Sequence, residues 1–213
     1  AARYGHLDVL KFLKDEVDLK SDDFRAEDNH AILVASENGH VHVLKFLRDD
    51  VKLTPDDFRT DDNCAIRLAA GHGHVPVLRF LKDDVKLTPD DFRAGDNYMG
   101  YAAKNGHLDI LRFLKDEVGL TADDFRSDDN YAICYAAEHG HLNVLKFLFN
   151  DVGLTADDFR SDDNYAIRMS AENGHLNVLR FLNDEVGLTA DDFRANDNKA
   201  IRLAAEKGRL YIL

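Results

Sequence analysis

Histidine recurs on a fixed period in this chain. His6, His40, His74, His107, His141 and His175 each follow a glycine, at steps of 34 residues with a single step of 33. One imidazole per repeat could suggest a metal ladder. Packed helices lie about 8–10 Å apart, whereas zinc–nitrogen bonds are about 2.0–2.1 Å. Successive histidines therefore cannot share an ion, and a role in fixing the turn between helices is expected instead. The closer pairs, His40 with His42 and His72 with His74, have no cysteine or carboxylate at ligand spacing.

Other chemistry is weighed in the same way. The acid pairs Asp123-Asp124 and Asp128-Asp129 lack the alternating oxygen ligands, central glycine and late glutamate of a calcium loop. Arg25, Arg59, Arg93, Arg126, Arg160 and Arg194 form a row that could track phosphates. Each stands beside aspartates, and the chain carries 40 acidic against 27 basic residues, a net charge of −13. Pairing with carboxylates of neighbouring repeats is the better expectation, and nucleic acid is excluded as a partner. Cys64 and Cys134 make no disulfide framework and are expected as free thiols. No nucleophile elbow, phosphate loop or zinc-protease motif occurs. An active site is a unique constellation, whereas these residues return in register. No catalytic residue, cofactor or metal is expected, and the chain is read as a non-enzyme.

The elements that place these residues follow from the period. Gly5, Gly39, Gly73, Gly106, Gly140, Gly174 and Gly208 repeat together with Phe24 to Phe193 and Asn29 to Asn198. A period of 20–50 residues marks a solenoid. Within one unit, a first helix is expected to open after Asp129-Asn130, with these residues as N-caps, and to end at Gly140 in the left-handed region. A second helix is expected over Leu142 to Leu148, with a wide apolar arc for packing on two sides. Thr121-Ala122-Asp123-Asp124 reads as a cap with first-turn acids, and Pro55 and Pro89 stand where a first-turn proline costs nothing. One extra helical turn per unit is expected, anchored by the phenylalanine of the Asp-Asp-Phe run.

The run from Ala136 to Leu148, Ala-Ala-Glu-His-Gly-His-Leu-Asn-Val-Leu-Lys-Phe-Leu, resembles the ankyrin repeat, whose pattern is AAxxGHxxVVxxLL. The resemblance extends over essentially the whole chain. Two departures stand out. The family's Thr-Pro-Leu-His start is replaced by Tyr131-Ala132-Ile133-Cys134 or its counterparts. The usual hairpin is replaced by a longer Leu-Thr-Ala-Asp-Asp-Phe-Arg loop, giving 34 residues rather than about 33. This variant is similar to arrays of intracellular bacteria and large amoebal viruses. The resemblance implies an all-α ankyrin-type solenoid that binds a partner protein in its concave groove.

The reading is of a single array over 1–213. Its units are 1–27 (partial), 28–61, 62–95, 96–128, 129–162, 163–196 and 197–213 (partial). The sequence starts mid-helix at Ala1-Ala2 and stops inside a second helix at Leu213, so a piece of a longer protein is expected. One unit is a residue short beside Tyr98 and holds Gly95 and Gly100. The short unit is read either as neutral drift in a tolerant loop or as a local bend of the array.

Comparison among repeats separates scaffold from surface. The glycine, the second-helix leucines, the loop phenylalanine and the asparagine are constant. The residues after the small Ala-Ala pair vary: Gly71-His72, Lys104-Asn105, Glu138-His139 and Glu172-Asn173. So does the residue after Asp-Asn, which is tyrosine in consecutive units at Tyr98, Tyr131 and Tyr165. Tyrosines are common interface anchors. The expected partner-binding set is Tyr98, Tyr131, Tyr165, His72, Lys104, Asn105, Glu138, His139, Glu172 and Asn173. The expected partner is another protein with a basic patch. No apolar run approaches 18 residues, so no membrane span is expected. A cytoplasmic monomer is expected, and the resemblance to arrays of intracellular bacteria implies an effector in a host cytosol. The alternatives are the non-catalytic repeat region of a larger enzyme or toxin, and a structural spacer.

Overall fold

The computed structural model describes every residue except Gly95, Asp96, Leu210, Ile212 and Leu213. The expectations placed on Gly95 and Leu213 lie outside the described residues. The chain divides into two compact units, Ala1–Tyr98 with Glu117–Gly119, and Met99–Asp116 with Leu120–Leu213. The division falls at Tyr98, beside the one place where the sequence period drops from 34 to 33 residues; no composition shift or linker marks it. Among the described residues there is no strand; the architecture is the expected all-α repeat solenoid.

Each repeat carries three helical pieces. Short helices occupy Ser21–Phe24, Pro55–Phe58 and Pro89–Arg93 in the first unit, and Ala122–Phe125 and Ala156–Phe159 in the second. Thr54 and Asp57 cap the second of these reciprocally: the Thr54 N–H donates to Asp57 Oδ2 at 2.7 Å. Thr88 with Asp91, Thr121 with Asp124 and Thr155 with Asp158 repeat the box. The expected anchors are in place. Phe58, Phe92, Phe125 and Phe159 are buried, and Phe58 and Phe125 meet the second-helix rings of Phe80 and Phe147 edge-on at 6.0 and 6.3 Å.

The first helices do not start as expected. Asp61, Asp62 and Asn63 have φ near +54°, +50° and +58°, a left-handed turn of three consecutive non-glycine residues. Glu27-Asp28-Asn29, Asp128-Asp129-Asn130 and Asp162-Asp163-Asn164 repeat it. The N-cap reading is therefore corrected for the asparagine: Asn63 Oδ1 is buried without a hydrogen-bond partner, as are those of Asn29, Asn130 and Asn164, and the Asn63 N–H closes the turn onto the Arg59 carbonyl at 3.1 Å. A left-handed residue costs about 1–2 kcal/mol, least for Asn and Asp. That preference explains why these positions hold acids and asparagine.

Second helices span Leu7–Asp15 and Val41–Asp49 in the first unit, and Leu142–Asn150 and Leu176–Asp184 in the second. They bury apolar residues such as Val144, Leu145, Phe147 and Leu148. The turns between first and second helices carry the glycine ladder. Gly140 has φ +76°, and a Cβ there would lie 2.6 Å from His175 Nδ1. The histidine of one repeat thus covers the glycine of the one before.

Candidate partner-binding surface

The repeating charged residues are consumed by the scaffold. Arg25 Nε reaches Asp57 at 2.8 Å and Arg59 Nε reaches Asp91 at 2.7 Å; in the second unit Arg126 reaches Asp158 and Arg160 reaches Asp192, each at 2.9 Å. Each arginine also pairs back to an aspartate of its own short helix, such as Asp56 or Asp123. The arginine row is the inter-repeat ion pairing expected from sequence. Burial acts to raise the pKa of Asp57 and Asp158, but hydrogen bonds from Arg25 or Arg126 and from the capping threonine outweigh it, leaving both below the ordinary carboxylate range.

The histidines are likewise structural. His40 Nε2 donates to the Arg3 carbonyl and His74 Nε2 to that of Glu37, both at 2.9 Å. His141 and His175 do the same to Lys104 and Glu138 at 2.8 and 2.9 Å. They clamp the preceding repeat's turn. No group of three or more His, Cys, Asp or Glu side chains among the described residues could hold a metal ion. Both cysteines are free, and burial pushes the Cys134 thiol up to about 11.

The expected tyrosine row separates. Tyr98 is only 1% exposed. Counted back from Gly106, the missing residue moves Tyr98 into the slot that Ala65, Ala132 and Ala166 fill in their repeats, all of them buried. As folded, Tyr98 cannot present its ring to a partner, which corrects its place in the expected set. Tyr131 is 38% exposed. Tyr165 is half-buried and its hydroxyl donates to Glu138 Oε2 at 2.8 Å. Burial and that bond both raise the Tyr165 pKa.

Two tyrosines absent from the expected set complete the surface in the second unit. Tyr101, 49% exposed, stacks on Tyr135 at 6.5 Å with 24° between planes; Tyr131 lies 5.3 Å from Tyr135 at 43°. Lys104 Nζ sits 5.9 Å from the Tyr135 ring centre. Gly100 makes room, since a Cβ there would come within 3.2 Å of the Tyr131 Cβ. The signal for Tyr135 was its place one turn after Tyr131, on the same helix face. Tyr101 shares the slot of Tyr135 when counted back from the repeat glycine.

The remaining expected residues divide between solvent and scaffold. His72 and His139 are exposed and stack on His74 and His141 at 6.4 Å, their Nδ1 atoms on the carbonyls of Leu68 and Tyr135. Asn105 is exposed. Asn173 gives its amide to the Glu138 carbonyl at 3.1 Å, and Glu172 pairs with Lys207 at 3.3 Å.

A family profile described as "Ankyrin repeats (3 copies)" matches residues 1–91 and 68–158. The chain belongs to the ankyrin repeat family. A search of curated proteins returns no match. Ankyrin repeats are generally protein–protein interaction modules and typically non-catalytic. Within this ankyrin array, no helix of the described residues is long and apolar enough to cross a membrane.

Proposed function

We propose that this ankyrin array binds a partner protein through the exposed face of its first helices, centred on Tyr101, Tyr131 and Tyr135. The observation that carries the reading is this exposed tyrosine cluster on a scaffold whose other repeating side chains are spent on packing, clamps and ion pairs. Lys104, Asn105, His139 and Glu138 border it, and His72 holds the same slot as His139 in the first unit. Tyr165, Glu172 and Asn173 act mainly by holding their neighbours. The net charge of −13 favours a partner with a basic patch. The array is proposed to act as a non-catalytic monomer in the cytoplasm, as the recognition part of an effector in a host cell.

The test is affinity capture with the wild-type chain and a Tyr101→Ala/Tyr131→Ala variant, compared by quantitative mass spectrometry. Both positions are exposed, so the variant is expected to keep its circular dichroism spectrum and melting temperature. Loss of about tenfold or more of a captured protein supports the surface, as expected for removing two aromatic anchors. Capture of the same proteins in equal amounts by the folded variant overturns it.

A further inference from the structure

We infer that the Tyr101–Tyr131–Tyr135 surface receives the guanidinium of an arginine in a basic segment of the partner. This rests on the proposed partner-binding role and supplies the chemistry of recognition. The rings lie 5.3 and 6.5 Å apart at 43° and 24°, so they form a broad tilted platform and not an enclosing pocket. A platform suits a flat group laid on it. It does not surround a compact ammonium or bury a branched aliphatic side chain.

One ring of the surface, and the tyrosine of the next repeat, already receive cations from the chain itself. Lys104 Nζ lies 5.9 Å from the Tyr135 centre, and the Arg168 guanidinium lies 5.6 Å from that of Tyr165. Tyr101 and Tyr131 keep large exposed areas beside these occupied rings. Acidic residues supply the matching charge. Asp129 is exposed on the left-handed turn that immediately precedes Tyr131, and Asp163 is exposed on the equivalent turn of the next repeat, beside Asp162, which pairs with Arg168 at 3.9 Å. A guanidinium can stack flat on an aromatic ring while its edge N–H groups remain available to carboxylates. An acidic or phosphorylated segment would meet like charge, and a neutral apolar segment would desolvate these carboxylates without pairing them.

The experiment measures fluorescence anisotropy of the full chain with three labelled peptides. One alternates arginine and glycine, one has lysine for each arginine, and one has glutamate. The arginine peptide is expected to bind about fivefold or more tightly than the lysine peptide, and the glutamate peptide more weakly than both. Tyr101→Ala/Tyr131→Ala is expected to weaken the arginine peptide about tenfold, while Tyr101→Phe/Tyr131→Phe keeps it, because the ring face is retained. Asp129→Asn/Asp163→Asn, which tolerates the left-handed turn, is expected to weaken binding about threefold and to flatten its salt dependence. Equal affinity for arginine and lysine peptides, or an unchanged Tyr→Ala variant, overturns the arginine inference. If partner capture is still lost in the Tyr→Ala variant, the partner-binding reading survives that result; if capture is unchanged, both fail.

Discussion

The two units solve the same structural problem with one scaffold and two surfaces. Arg25–Asp57 and Arg59–Asp91 in the first unit have the geometry of Arg126–Asp158 and Arg160–Asp192 in the second. The histidine clamps are equally alike, from His40 and His74 to His141 and His175. The first-helix faces differ. Where the second unit has Tyr101 and Tyr135, the first has Val34 and Leu68; where it has Tyr131 and Tyr165, the first has His30 and Cys64. The loops differ as well. Asp18, Lys52 and Lys86 hold φ of +64°, +67° and +69° in the first unit, which has a glycine there only at Gly119, whereas the second has Gly153 and Gly187 at that place. The contrast teaches that bonds between repeats are fixed by geometry, while side chains facing solvent are free to carry recognition.

The largest expected effect tests whether the tyrosines form one row or two classes. Tyr98→Ala removes a fully buried ring and is expected to destabilise by about 4 kcal/mol. Tyr131→Ala, on an exposed face, is expected to change stability by less than about 1 kcal/mol. Urea denaturation of both variants decides this, and equal losses would return Tyr98 to the surface class.

A smaller effect tests the sameness of the scaffolds. Asp57→Asn and Asp158→Asn each remove a carboxylate that serves both an arginine and a helix cap, and each is expected to cost about 2 kcal/mol. The folded pKa values of Asp57 and Asp158 are lowered, so the unfolded chain binds more protons in acid. Their contribution is complete above the unfolded carboxylate pKa of about 4 and is lost as pH falls through the lower folded values. Denaturation from pH 7 to pH 3 should show the wild type converging on each variant, whichever unit is altered. A pH-independent gap would contradict the ion-pair account.

The smallest effect sharpens the loop contrast. Lys52→Gly is expected to stabilise by about 0.5–1 kcal/mol by relieving a left-handed lysine. Gly153→Lys should destabilise by a similar amount, since no atom lies within 4 Å of a Cβ there and only the backbone φ of +85° opposes it. Thermal melts of the two variants in opposite directions would establish that the same turn is used in both units.

The sequence by itself determined the period, the helix order, the threonine caps, the anchoring phenylalanines and the arginine pairing. These depend on neighbours within a few residues or on a partner one repeat away, and the repetition displays both. Only the tertiary structure decided that Asp-Asp-Asn forms a left-handed turn, because both a cap and that turn suit the same residue types. It also decided that Tyr98 is buried while Tyr101 and Tyr131 meet solvent. One deleted residue shifts the register by one position along the helix, and what a side chain then faces depends on what packs against it from outside its own segment.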